Sequence, residues 1–191
     1  MNSKIDQAWS AVVFTRRQWV AAGAAAIAAL ASGAENVWAA DDDGVSHNTE
    51  AIHQEVVINA APKTIYDALT DAQQFQKIEL ISSANSPLQI EKKPAQIDAT
   101  PGGAFSIFGG YITGWQLELV PDQRIVQAWR VGNWRPGIWS VAKFELVAQG
   151  STTKIVFDHT GFPAGDGASL ADGWKSHYWG PLQKMSELTR E

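Results

Sequence analysis

The chain has no cysteine. That excludes disulfides, thiolate-ligated zinc, iron–sulfur clusters and covalently attached haem. Histidine is scarce as well, with four in all. A site built on His159 and His177 lacks a third ligand nearby, so no metal is expected. Positive charge is also limited. Fifteen Lys and Arg face 20 Asp and Glu, for a formal net charge of −5. Without residues 1–39 the balance is roughly −6. An acidic chain with scattered Lys and Arg is a poor match to a phosphate backbone, so nucleic acid is excluded as a partner. The glycines of Gly161–Ser169 are not directly followed by Lys-Ser/Thr, their spacing is wrong, and they do not form a phosphate cradle. No nucleophile-elbow pattern surrounds His159. No cofactor is indicated.

Tryptophan, by contrast, is abundant: nine in 191 residues, three of them before Ala40. The length suits one domain plus a leader. Six tryptophans in one small domain point to a large aromatic core or an aromatic-lined pocket.

Residues 1–39 have the character of an export leader. Thr15-Arg16-Arg17-Gln18-Trp19-Val20 is a twin-arginine pair followed by bulky apolar residues. A mild alanine-rich run follows from Ala21 to Ala34, too short for a span of about 20 residues. Val37-Trp38-Ala39 then offers small side chains for cleavage before Ala40. The segment resembles a twin-arginine (Tat) signal, with Trp19 where Phe is usual and Val20 where Leu is preferred. That resemblance implies recognition of Arg16 and Arg17 by the Tat machinery and a periplasmic or secreted product. No stable membrane anchor remains after cleavage near Ala39. Residues 40–50 are polar, charged and aperiodic, as expected of a linker.

The domain spans residues 51–191. Its organising stretch is Leu170–Leu188, where Leu170, Trp174, Tyr178, Leu182, Met185 and Leu188 recur every three or four positions. That spacing predicts a helix with one apolar face and a kink at Pro181, whose ring clashes with the carbonyl of His177. Asp172 and Gly173 suit its first turn. At the other end of the domain, Ala51–Ile58 alternates as a first strand with Ile52, Gln54, Val56 and Ile58 on one face. Two short helices follow, from Pro62 with Asn59 as a possible cap, and from Ala72 to Leu80. Leu88–Glu91 is a weak strand. Strands are then expected at 104–108, 110–120, 123–130, 138–147 and 152–160, separated by turn formers and no helices. This is an α+β pattern: an antiparallel meander of six to seven strands, curled against one long C-terminal helix.

Strand alternation assigns the faces. Ala142, Phe144 and Leu146 face inward, as do Ile155, Phe157 and His159, and Ile125, Gln127 and Trp129. Placing Gln116 and Glu118 outward turns Tyr111, Thr113, Trp115, Leu117 and Leu119 inward. The candidate ligand cavity is therefore lined by Phe105, Tyr111, Thr113, Trp115, Gln127, Trp129, Phe144, Phe157 and His159 from the sheet. Trp174 and Tyr178 close it from the helix. An apolar lining with a few polar groups suits a small hydrophobic molecule. His159 has two readings, as an acid–base group or as a core histidine bonded to a neighbour. Tyr111 likewise either orients a substrate carbonyl or simply packs. Trp134 and Trp139, flanking Arg135-Pro136-Gly137, either guard an entrance or stack on Arg135. Gly161–Ser169 is a lid or a connector.

Several segments resemble the SRPBCC (START-like) superfamily, closest to its branch of activators of the heat-shock-protein ATPase. They are Pro62–Asp71, Pro101-Gly102-Gly103-Ala104-Phe105, Gly110–Gly114, Leu117–Pro121, Trp129-Arg130 and Gly173-Trp174. The resemblance implies a helix-grip fold, a curved sheet wrapped around the C-terminal helix with a cavity between them. It implies binding of hydrophobic or amphipathic molecules there, cyclase- or hydrolase-like chemistry in some members, and chaperone-ATPase stimulation in one eukaryotic branch. Gln74–Ile78 departs from the tryptophan-rich helix usual at that position. Export argues against the chaperone role, because that ATPase works in the cytoplasm where ATP is available.

Overall fold

The computed structural model describes residues 10–15, 49–84 and 93–188. Arg16, Arg17, the cleavage site at Ala39, most of the expected linker and the weak strand Leu88–Glu91 lie outside the described residues. Seven antiparallel strands follow from Thr49: β2 (Thr49–Ile58), β3 (Gln96–Ile97), β4 (Ala104–Ile107), β5 (Ile112–Val120), β6 (Arg124–Val131), β7 (Ser140–Gln149) and β8 (Thr152–Pro163). A further strand, β1 (Ser10–Thr15), pairs along the outer edge of β2. Its backbone lies within the span that resembles an export leader. The sheet order is β1-β2-β8-β7-β6-β5-β4-β3, so β2 closes against the last strand while the others follow as a meander.

Helices α1 (Pro62–Thr70) and α2 (Ala72–Ser83) fill the crossover after β2. Pro62 opens α1, where its missing N–H costs nothing. The N-cap is Ala61 and not Asn59, with no side-chain bond to the first turn. Asp71 separates the two helices and caps α2, its carboxylate accepting the Gln74 N–H at 2.9 Å. The terminal helix runs through α3 (Gly167–Trp174), a π segment (Lys175–Trp179) and α4 (Gly180–Leu188). It begins earlier than Asp172, and β8 continues to Pro163. Only Ala164, Gly165 and Asp166 remain between them, which leaves a lid no length.

The alternation holds on four strands. Ile52, Gln54, Val56 and Ile58 are buried on β2, Ile125, Gln127 and Trp129 on β6, Ala142, Phe144 and Leu146 on β7, and Ile155, Phe157 and His159 on β8. Strand β5 is reversed as far as Leu117, while Leu119 packs against the core as expected. Ile112, Gly114 and Gln116 face in, while Tyr111 and Trp115 are 47% and 43% exposed. Gly114 explains the phase. A Cβ there would lie 2.0 Å from the Ala128 carbonyl oxygen and 2.4 Å from the Phe105 ring, so the inner face needs glycine at this point. A bulge between Gln116 and Glu118 then displaces Leu117 outward and breaks the two-residue period. The buried Gln116 is answered by Gln127, whose Nε2 donates to its Oε1 at 3.2 Å. On the outer face Trp115 rests on Trp139 with ring centroids 4.3 Å apart. The guanidinium over Trp139 belongs to Arg130, at 5.4 Å, and not to Arg135.

Candidate functional site

The terminal helix meets the sheet through aromatic rings, and its π segment sets their directions. Proline at 181 cannot sit in a regular α-turn against the carbonyl of His177. The helix answers one turn earlier. The Gly180 N–H bonds the Lys175 carbonyl, five residues back, and the extra residue relieves the clash without a break. The expected kink is thus a widened turn just before the proline. Its consequence is that two successive rings, Tyr178 and Trp179, are both buried. Trp179 Nε1 donates to Gln54 Oε1 at 2.6 Å, and Gln54 Nε2 donates to the Ala171 carbonyl at 3.0 Å. One buried glutamine on β2 therefore ties down both halves of the helix.

Trp174 packs at the centre, 4.2 Å from Tyr178, 4.4 Å from Phe157 and 5.4 Å from Trp129 between centroids. Its indole N–H donates to His159 Nδ1. His159 Nε2 lies 2.7 Å from Ser140 Oγ, which donates to the Trp129 carbonyl at 2.9 Å. Both imidazole nitrogens are occupied, and burial pushes the His159 pKa down to about 3. This is the core reading of His159: a neutral ring held by neighbours, in a part of the interior that is packed solid.

The open space lies at one end of that core. A cavity of about 320 Å³ sits between the first half of the terminal helix, the turn after β4 and the loop after β6. Trp129, Trp174, Tyr178 and Tyr111 line it, with Tyr111 at the solvent edge. Phe105, Gln127 and Phe144 surround a separate void of about 10 Å³, too small for a ligand. Phe157 and His159 are fully buried without reaching the cavity, and Trp115 is on the far face with Thr113 beside it on β5.

Other wall residues escape sequence reasoning. Phe108 enters the cavity because Phe108, Gly109 and Gly110 take left-handed φ values of 51°, 67° and 92° in succession. Phe-Gly-Gly was the available signal, since a glycine pair permits such a turn. The Phe108 N–H is held by the Glu79 carboxylate of α2. Burial raises the Glu79 pKa, and this hydrogen bond opposes the rise. Trp134 lines the cavity, its Nε1 donating to Asp166 Oδ2 at 2.7 Å. His177 lies on the wall half-buried, Nδ1 2.6 Å from Ser82 Oγ, with its pKa lowered by burial. Asp166 and Asp172 stand at the helix end of the cavity, and among the described residues no Lys or Arg lines it. Among the described residues no group of three or more His, Asp or Glu could hold a metal ion, and no helix is long and apolar enough to cross a membrane.

Comparison with known proteins agrees with this architecture. A mouse protein named activator of 90 kDa heat shock protein ATPase homolog 2 is 25% identical over 148 residues, covering 78% of this chain and 41% of its own length. The human homolog 1 is 28% identical over 86 residues, 45% of this chain and 25% of that protein. The chain thus spans less than half the length of these curated relatives. Among solved structures, an HSP90 activator from Plasmodium falciparum superposes with a TM-score of 0.61 at 22% identity, over 71% of this chain and 94% of that one. CalU16 from Micromonospora echinospora gives 0.57 at 17% identity, over 72% and 74%. At such identities these structures show the fold, an α+β helix-grip sheet closed by its C-terminal helix. Residues 59–187 match the family described as Activator of Hsp90 ATPase homolog 1-like protein, and the chain belongs to that family.

Proposed function

We propose that this protein is a binding module, exported through its twin-arginine leader, that holds a small hydrophobic or aromatic compound between sheet and terminal helix. The observation that carries the reading is the cavity of about 320 Å³ walled by Phe108, Trp129, Trp134, Trp174 and Tyr178. That volume is at the small end of the range for small-molecule sites, about 300–1,000 Å³. Aromatic walls supply most of the affinity for an apolar guest. Acid–base catalysis by His159 and Tyr111 is disfavoured by geometry. One is sealed in the core with both nitrogens bonded, and the other stands at the rim.

The test is native mass spectrometry of protein purified from its own host, with thermal shifts against a panel of hydrophobic compounds. A co-purifying small molecule, or stabilisation by panel members, is the expected result. Neither outcome appearing would overturn the reading. Export is tested separately: the periplasmic protein should begin at Ala40, and Arg16→Lys with Arg17→Lys should trap it unprocessed.

A second reading comes from the relatives' names, which describe activators of a 90 kDa heat shock protein ATPase. It is tested by adding the domain to such an ATPase. A rise in turnover would favour it over ligand storage.

A further inference from the structure

The cavity wall combines electron-rich rings with carboxylates, and among the described residues no Lys or Arg joins them. Phe108, Trp129, Trp134, Trp174 and Tyr178 converge on one space from the turn after β4, from β6 and its following loop, and from the terminal helix. Trp129 stands between two other indoles, its ring centroid 5.7 Å from Trp134 and 5.4 Å from Trp174. The face of an aromatic ring is negative, so rings gathered around one space suit an organic cation as well as an apolar body.

Two acids in the same wall give the site its sign. Asp166 is half-buried and fixed by an indole of the wall, its Oδ2 accepting from Trp134 Nε1 at 2.7 Å. Its Oδ1 takes no hydrogen bond from the described residues. Asp172 stands at the rim with its side chain 81% exposed. The neighbouring cations do not cancel these charges. Lys175 lies 3.7 Å from Asp172, outside the wall and beyond hydrogen-bond range. The Arg130 guanidinium donates to the Trp134 carbonyl at 2.8 Å and sits over Trp139 on the outer face. Burial keeps His177 toward its neutral form. The first turn of α3 would ordinarily attract an anion, but Glu50 already occupies it, its two carboxylate oxygens accepting the Gly165 and Gly167 N–H groups at 3.0 Å each.

Resting on the ligand-binding reading above, we infer that the cavity selects a protonated arylalkylamine, its flat ring among the five aromatic side chains and its ammonium donating to Asp166 Oδ1. A half-buried partner leaves the ammonium some of its water, which limits the desolvation cost of bringing a charge to the wall. A carboxylate head group in the same place would meet two acids and no cation. A neutral guest would gain the apolar contacts and leave Asp166 unanswered.

Three naphthalene probes of similar size test this by calorimetric titration of the full-length protein: naphthylmethylamine, ethylnaphthalene and naphthoate. The amine should bind at least about tenfold more tightly than the hydrocarbon, because only it adds a charge-assisted hydrogen bond and cation–π contacts. Naphthoate should bind more weakly than the amine. Asp166→Asn keeps an oxygen for the Trp134 N–H and removes the charge, so it should bring the amine-to-hydrocarbon ratio toward one. It should bind ethylnaphthalene as the parent does, which shows that the wall is intact. Asp172→Asn, at the rim, should lower the ratio by a smaller factor. Glu145→Gln, among Arg124 and Lys143 on the outer face, should leave it unchanged. Equal binding of amine and hydrocarbon, an unchanged ratio in both aspartate variants, or an equal fall in Glu145→Gln would overturn the selection of a cation while leaving the binding module standing. Tightest binding of naphthoate would overturn the sign of the site. Binding of none of the three would remove both this inference and the aromatic-ligand reading beneath it.

Discussion

The Trp174 indole N–H donates to His159 Nδ1 at 3.0 Å in the middle of the core. An indole N–H can only donate, so it fixes the imidazole tautomer with the proton on Nε2. That proton points to Ser140 Oγ, whose own hydrogen goes to the Trp129 carbonyl. The chain of donors runs from the terminal helix through β8 and β7 to β6. It bolts the helix to the sheet at the inner end of the cavity, where Trp129 and Trp174 form part of the wall.

This chain makes stability depend on pH. The His159 pKa falls from its usual 6.5 to about 3 in the folded protein. Between those values the unfolded chain binds a proton that the folded one refuses. Stability therefore declines as pH drops from about 6.5 toward about 3, and is independent of this group above that window. His159→Gln keeps a donor and an acceptor near the same sites and cannot protonate. Urea midpoints measured from pH 7 to pH 4 should fall less steeply for His159→Gln than for the parent. His159→Ala should cost about 3 kcal/mol at pH 7, since it leaves a void and strips two polar partners. Parallel slopes for His159→Gln and the parent would mean that His159 does not titrate as described.

Most of the fold was legible because the signals were periodic. Ile52, Val56 and Ile58 alternate without interruption, and so do Phe144 and Leu146 against Lys143 and Glu145, and each of these strands faces as its pattern indicates. Strand β5 was misread up to its bulge because its alternation there, Tyr111, Thr113, Trp115 and Leu117, is the wrong one, whereas Leu119 beyond the bulge packs against the core as expected. The deciding residue was Gly114, whose meaning depends on the Phe105 ring across the ladder, a contact that no local pattern contains. The cavity was half legible for a similar reason. Trp129, Trp174 and Tyr178 lie on regular elements and could be placed, whereas Phe108 and Trp134 reach the wall from turns. Trp179 was missed because a uniform 3.6-residue period places it off the apolar stripe. The π segment turns it in.

Gly114→Ala should be among the most damaging single-methyl changes in the protein. Its Cβ would stand 2.0 Å from the Ala128 carbonyl oxygen and 2.4 Å from the Phe105 ring, and a backbone atom in the neighbouring strand cannot move aside cheaply. A loss of about 3 kcal/mol is expected from the overpacking. Gly173→Ala is the matched control, because a methyl there meets nothing within 4 Å, and alanine favours helix over glycine by about 1 kcal/mol. Chemical denaturation of the two variants should move in opposite directions. A mild effect of Gly114→Ala would place the β5 register elsewhere.

Trp115 and Trp134 separate the two faces of the sheet. Trp115 lies on the outer surface against Trp139, so Trp115→Ala should change stability by no more than about 1 kcal/mol and leave ligand affinity untouched. Trp134 lines the cavity, and Trp134→Ala removes both a wall and the partner of Asp166. The affinity of any cavity ligand should fall at least about tenfold, read by calorimetry. If Trp115→Ala weakens binding as much as Trp134→Ala, the guest occupies the outer face and the cavity is not the site.

Glu79 tests the support beneath the cavity's most unusual turn. Two effects oppose each other there: burial disfavours its charge, and the Phe108 N–H favours it. The raised pKa says that burial prevails. The folded protein then holds a proton on Glu79 more readily than the unfolded chain does, so this group lowers stability as pH rises from about 4.5 through its raised folded pKa. The sign is opposite to that of His159. Glu79→Gln retains an oxygen for the Phe108 N–H and removes the charge. It should stabilise the protein at pH 7, by no more than about 1 kcal/mol because the side chain is half-buried and solvent screens it. That gain should vanish near pH 4, where the parent carboxyl is also protonated. Glu79→Ala deletes the acceptor and should destabilise at every pH, because Phe108 then holds its left-handed φ of 51° with no partner on its N–H. Loss of stability in Glu79→Gln at pH 7 would mean that the hydrogen bond to the carboxylate outweighs the burial of its charge.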